Sequence, residues 1–222
     1  MERKIIPAAE HRTEIRVVNS RFIASIAPVF DVSQARAFIE RVKEEFADAS
    51  HNVPAYVVGH GASVTAHCND DGEPSGTAGR PALAVLQGSG LGDAVVVVTR
   101  YFGGTKLGTG GLVRAYGDAV RAVLAELPQA EKVSTDLALL VVPYNLYEQV
   151  LLLVEAHGGL TLEKSFAADV TLTLRFRTGD LEPFNDGLRE LSHGALQAEF
   201  VERDESTIMP LRPEDDISDD EP

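Results

Sequence analysis

Two stretches of the chain concentrate the residue types that hold anions. The first, residues 70–81, reads DDGEPSGTAGRP: three acids, a run of small residues, then a base and a proline. The second, residues 100–111, reads RYFGGTKLGTGG and sits between an unbroken β-branched run and a helical pattern. A Gly-rich segment ahead of a helix gathers free backbone N–H groups at the positive end of the helix dipole, which suits a phosphate or carboxylate. Four bases lie in or beside the two stretches. The candidate binding residues are Asp71, Glu73, Thr77 and Arg80 from the first stretch. The second supplies Arg100, Tyr101, Gly103, Gly104, Lys106, Gly108, Thr109, Gly110 and Gly111, with Arg114 one turn further on.

The spacing separates this pattern from familiar phosphate motifs. Gly103 is followed after four residues by Gly108, but Thr109 stands where a P-loop has lysine. Gly108-Thr109-Gly110 leads three residues on to Val113, so the dinucleotide fingerprint is not met either. Such glycines have a plainer use, which is to allow tight turns and close packing. The acids Asp70, Asp71 and Glu73 have two uses as well. They suit a metal ion or a general base, or they pair with Arg80 and Arg100 and cap the helix that begins near Pro81. A three-acid run without a fourth fixed ligand favours the second use. His60, His67 and Cys68 match no zinc spacing, and there is one thiol. His11, His51, His157 and His193 read as surface or hydrogen-bonded polar residues. Tyr101 and Phe102 suit base stacking, although a strand end more often sends such rings into the core. No catalytic residue, metal site or cofactor is assigned.

The elements that position these loops follow from periodicity. Residues 13–27 read as two short strands around Asn19 and Ser20. Ser33 looks like an N-cap, with Ala35, Phe38, Ile39, Val42 and Phe46 following at helical spacing. PAYVVGH is a strand, RPALAVLQG a short helix, and AVVVVTRY a strand buried on both faces. LVRAYGDAVRAVLAEL is a long amphipathic helix. The pattern restarts near residue 130. VSTDLALLVV, LTLEKSFA, DVTLTLRFR and LQAEFV are strands, with helices over residues 145–159 and 180–194. That order is β-α-β-β-α-β, the ferredoxin-like order. The domains expected are 1–130, 131–205 and an acidic tail, 206–222, too polar to order itself.

Bulk properties narrow the classes. The formal charge of −14 on 222 residues excludes a broad basic nucleic-acid face, though not a local basic patch. The last ten residues hold six acids and no base; without them 28 acids face 20 bases. One cysteine allows no internal disulfide and suits a reducing cytoplasm. The N-terminus has no apolar core of a signal peptide, and the longest apolar runs are too short for a bilayer.

The two loops, with VVVVTRYFGGTKLGTGGLVRAYG and the earlier SRFIA, resemble the Impact/YigZ family over residues 1 to about 205. The resemblance implies an α+β protein of two domains. The N-terminal one is an α/β sandwich similar to the second domain of small-subunit ribosomal protein five, and the C-terminal one is ferredoxin-like. The pair also resembles the last two domains of translation elongation factor G. It further implies translation regulation, which eukaryotic relatives perform by protein contact, and it implies no reaction. The expected function is therefore non-enzymatic, translation-linked binding, with the ribosome, RNA or a translation-associated protein as partner and no membrane. Two alternatives are a protein-interaction module using the acidic tail and an enzyme acting on a phosphorylated small molecule, with Asp71 or Glu73 as base.

Overall fold

The computed structural model describes residues 3–61 and 63–212. It divides into two compact units, residues 1–131 and 132–222.

The first unit is built on an antiparallel sheet in the order β2-β3-β6-β4-β5. Its strands are β2 (His11–Val17), β3 (Ser20–Pro28), β4 (His51–Val58), β5 (Thr65–Cys68) and β6 (Ala94–Tyr101). The β6 run AVVVV explains the layering. Alternate side chains of a strand point to opposite faces. Ala94, Val96 and Val98 therefore join one cluster with Phe22, Val53, Ala82, Leu86 and Tyr116. Val95 and Val97 join another with Ala35, Phe38 and Val42. Helices α2 (Gly79–Gly88) and α3 (Gly108–Glu126) cover the first face, and α1 (Val32–Glu45) covers the second.

Several local details differ from the sequence expectation. Asp31, not Ser33, caps α1: its carboxylate accepts the Gln34 N–H at 2.8 Å. Asp31 sits one residue before the helix with extended backbone, the geometry a cap needs, whereas Ser33 is already helical. A three-residue strand, β1 (Ile5–Pro7), pairs with Gln129, Ala130 and Glu131 at the start of β7 (Gln129–Val142). The Gly-rich stretch is divided as well. Residues 102–107 form a loop, while Gly108–Gly111 are already the first turn of α3.

In the second unit, β7 is followed by α4 (Tyr147–Ala156), β8 (Leu160–Phe166), β9 (Val170–Arg177), α5 (Leu181–Leu191) and β10 (Glu199–Pro210). β7 lies between β10 and β9, and β9 pairs onward with β8, all in the ferredoxin-like order. Strand β9 buries Val170, Leu172, Leu174 and Phe176 by strict alternation, and they meet Val150, Val154, Phe184 and Leu188 of the helices. β10 corrects the expected tail. Residues 206–210, assigned there to a disordered segment, continue this strand and bury Met209. The cause is the alternation in STIMP, which the high acid content of the flanks masks. Residues 213–222, the most acidic part of the expected tail, lie outside the described residues.

Candidate functional site

The two motif loops meet. They form the walls of a cleft of about 510 Å³ lined by Glu73 and Pro74 from the first and Phe102, Lys106, Leu107, Gly108, Thr109 and Leu112 from the second. Arg100 at the end of β6 and Ser50 and His51 ahead of and at the start of β4 complete it. Sheet register explains the last addition: His51 is the cross-strand partner of Arg100.

A buried ion pair holds the walls together. Glu73 and Arg100 are 8 % and 5 % exposed, and Arg100 Nη1 donates to Glu73 Oε1 at 2.6 Å. The Tyr116 hydroxyl, from the middle of α3, donates to the same oxygen at 2.8 Å. Burial, with the Glu73 charge behind it, pushes the Tyr116 phenol far above its ordinary range, so it stays a donor. His51 Nδ1 lies 2.8 Å from the Asp71 carbonyl, which only accepts, so this nitrogen carries the hydrogen. Its Nε2 then faces Glu73 Oε1 at 3.8 Å. The Arg100 guanidinium packs over the rings of Phe22 and Phe102, each at 5.5 Å. Arg100 Nη2 reaches Ser20 Oγ at 3.4 Å, while the buried Nε has no acceptor among the described residues.

The acids of the first loop serve the fold. Asp70 accepts the N–H groups of Gly76, Ala78 and Gly79, the last at 2.8 Å, and so caps α2 from outside it. Burial raises the Asp70 carboxyl, but these three amides outweigh it and leave the acid stronger than usual. Asp71, in the left-handed region that Asp tolerates, holds Lys43 and the Asn52 N–H. Thr77 is buried and closes a turn onto the Pro74 carbonyl. Neither Asp71 nor Thr77 lines the cleft. Cys68, whose thiol is pushed up by burial and by the Asp70 charge, is a poor nucleophile.

The second loop leaves more of its chemistry open. Leu107 precedes α3 without a side-chain capping hydrogen bond, so among the described residues no side-chain cap covers the first-turn N–H groups. Lys106 is exposed and makes no ion pair among the described residues. Gly103 is required by packing, because a Cβ there would fall 1.8 Å from the Asn19 carbonyl oxygen. Gly110 is different: its backbone is ordinary helix and a Cβ would meet nothing within 4 Å. Gly104 and Gly108 have left-handed backbones, and Gly111 lies against Leu107.

Five of the sequence candidates therefore share the cleft: Glu73, Arg100, Lys106, Gly108 and Thr109. Arg80 and Arg114 are exposed outside it. Tyr101 points away, its hydroxyl on Asp48 at 2.7 Å and its ring under Arg21, because successive strand residues face opposite sides. Phe102, one residue on, is the ring in the cleft. Sequence reasoning left out Ser50 and His51, which only the β4–β6 register brings here. Among the described residues no cluster of three His, Cys, Asp or Glu is arranged to hold a metal ion. No described helix is long and apolar enough to cross a membrane.

The fold and site define a two-domain α+β protein with a cleft between the two motif loops of its first domain. Comparison with known proteins places it further. Residues 18–124 match the Impact N-terminal domain and residues 140–195 match a domain of unknown function, DUF1949. The chain is 37 % identical over 203 residues, 91 % of its own length and all of the relative's, to the IMPACT family member YigZ of Escherichia coli. It therefore belongs to the IMPACT family. Protein IMPACT of Xenopus laevis is 35 % identical over 107 residues, 46 % of this chain and 34 % of that one. A solved structure described as a hypothetical protein is 37 % identical, covers 91 % of this chain and 98 % of its own, and superposes with a TM-score of 0.59.

Proposed function

We propose that this protein is a non-enzymatic, translation-linked regulatory protein that binds RNA phosphate, free or on the ribosome, through the cleft between its motif loops. The observation that carries the reading is the open first turn of α3. Gly108 and Thr109 of that turn, Lys106, which has no ion pair among the described residues, and the buried Arg100 line one concave space. Glu73 neutralises about one of the two cations, so a net positive site remains within an acidic chain. The link to translation rests on family membership and on what the motif resemblance implies for the eukaryotic relatives. The cytoplasm is the compartment where those partners are found.

The enzymatic alternative is weaker on a specific point. Both candidate bases, Asp71 and Glu73, already hold hydrogen-bond donors.

The test is binding of RNA across a salt series, with ribosome co-sedimentation beside it. Lys106→Ala is the informative variant, since its side chain is exposed, lines the cleft and has no ion pair among the described residues, and Arg114→Ala, exposed outside the cleft, is its control; Arg100→Ala would remove a buried partner of Glu73. Each lost phosphate contact should flatten the slope of log affinity against log salt by about 0.7 to 0.9. Absence of RNA binding at low salt, together with a protein that stays at the top of the gradient, would sink the reading.

A further inference from the structure

We infer that the cleft takes one unstacked nucleotide, its phosphate at the first turn of α3 and its base against Phe102. This rests on the phosphate reading above and adds the base. Phe102 is 47 % exposed, a large apolar ring left in contact with solvent at the mouth of a charged site. It is also braced. The Arg100 guanidinium lies over the ring at 5.5 Å, and the Phe102 N–H is held by Ser50 Oγ at 3.0 Å. A ring fixed on one side by a buried cation presents a rigid platform on the other, at little entropic cost on binding.

The remaining walls agree with a base. Pro74, Leu107 and Leu112 give the cleft an apolar floor beside the polar groups of Lys106, Thr109 and His51. Its volume of about 510 Å³ falls within the range of small-ligand pockets, roughly 300–1,000 Å³. One base and its phosphate fit such a space. A duplex does not, because its bases are stacked on both faces and cannot enter a concave site singly.

The phosphate end has its own support beyond the helix terminus. Arg100 lines the cleft as a fixed cation, its guanidinium held by Glu73 and Ser20 and packed against Phe22 and Phe102. Gly108 and Thr109, exposed at the start of α3, line the same cleft. An exposed glycine backbone beside a fixed cation lets a phosphate approach closely.

Binding of a fluorescent single-stranded oligouridine and of an RNA duplex of equal phosphate count tests this. The wild type should bind the single strand about tenfold tighter than the duplex, the effect of one stacked base. Phe102→Leu, at an exposed position, should remove that preference and leave the salt slope unchanged. Lys106→Ala should weaken both probes and flatten the slope. Equal affinity for the two probes, or a single-strand affinity untouched by Phe102→Leu, overturns the stacked base while the phosphate reading stands. No binding of either probe at low salt overturns both. Competition by uridine monophosphate separates the two sources of this chemistry. Displacement that depends on Phe102 supports a free nucleotide, and Phe102-dependent strand binding without displacement supports a nucleotide within a strand.

Discussion

Glu73 Oε1 receives two donors at once, Arg100 Nη1 at 2.6 Å and the Tyr116 hydroxyl at 2.8 Å, and so ties the first motif loop to β6 and to the middle of α3. Both charged partners are buried, so neither can be removed without stranding the other. Glu73→Gln should cost about 3–5 kcal/mol, the usual cost of breaking a buried pair from one side. Tyr116→Phe should cost less, about 1.5–3 kcal/mol, because it removes one hydrogen bond to a charged group. Urea denaturation reads both, and an equal loss for the two variants would contradict this ordering.

Gly103 and Gly110 belong to the same Gly-rich segment but should respond oppositely to alanine. Gly103→Ala drives a Cβ into the Asn19 carbonyl and should lose about 2 kcal/mol or more. Gly110→Ala meets open space and should gain up to about 1 kcal/mol from helix propensity. Because Gly110 does not line the cleft, the same variant should bind RNA as the wild type does. A Gly110→Ala protein that loses stability would contradict the open space at this position.

Acid should act through Asp70. Its carboxyl is stronger in the folded protein than in the unfolded chain, since three amides favour the charged form. Its contribution is therefore fully present above the ordinary carboxylate value near 4 and is lost as pH falls through the lowered folded value. Asp70→Ala should cost about 0.5–2 kcal/mol at neutral pH, as caps do. Its stability should also fall less steeply than the wild type's between about pH 5 and pH 2. A parallel decline in both proteins would assign the acid sensitivity elsewhere.

The core of the second unit should fail alone. Phe176 packs on Phe184 with ring centroids 4.6 Å apart, within a cluster separate from that of α2 and α3. Phe176→Ala should cost about 3–5 kcal/mol. Hydrogen exchange should lose protection in β9, α4 and α5 while α2 and α3 keep theirs. Uniform loss across both units would show that they do not unfold separately.

Much of this was legible because periodicity is local. The AVVVV run requires apolar contacts on both faces and obtains them from two separate clusters. The βαββαβ order of the second unit follows from alternation in VTLTLRFR and from helical spacing in its two amphipathic segments. The three residues of β1 carry no period, so local pattern does not mark it, and the acids around STIMP mask the end of β10. Asp31 lost to Ser33 as expected cap because both are good cap residues two positions apart, and backbone angles choose between them.

The site divides along the same line. The residue types show what the segment offers: a Gly-rich stretch ahead of a long helix presents N–H groups at its first turn, and Lys106 adds a charge nearby. Which acid serves which base, and which ring faces the cleft, depend on register. Glu73 finds Arg100 across 27 positions, and His51 arrives from a strand 49 residues upstream of Arg100. Tyr101 and Phe102 are neighbours with opposite fates, decided by the pleat at the end of β6. Local sequence dictates what a segment can become and what it can bind, because hydrogen bonding and side-chain period act over a few residues. Only the packed sheet decides which of those segments meet, because burial selects among pairings that are far apart in the chain.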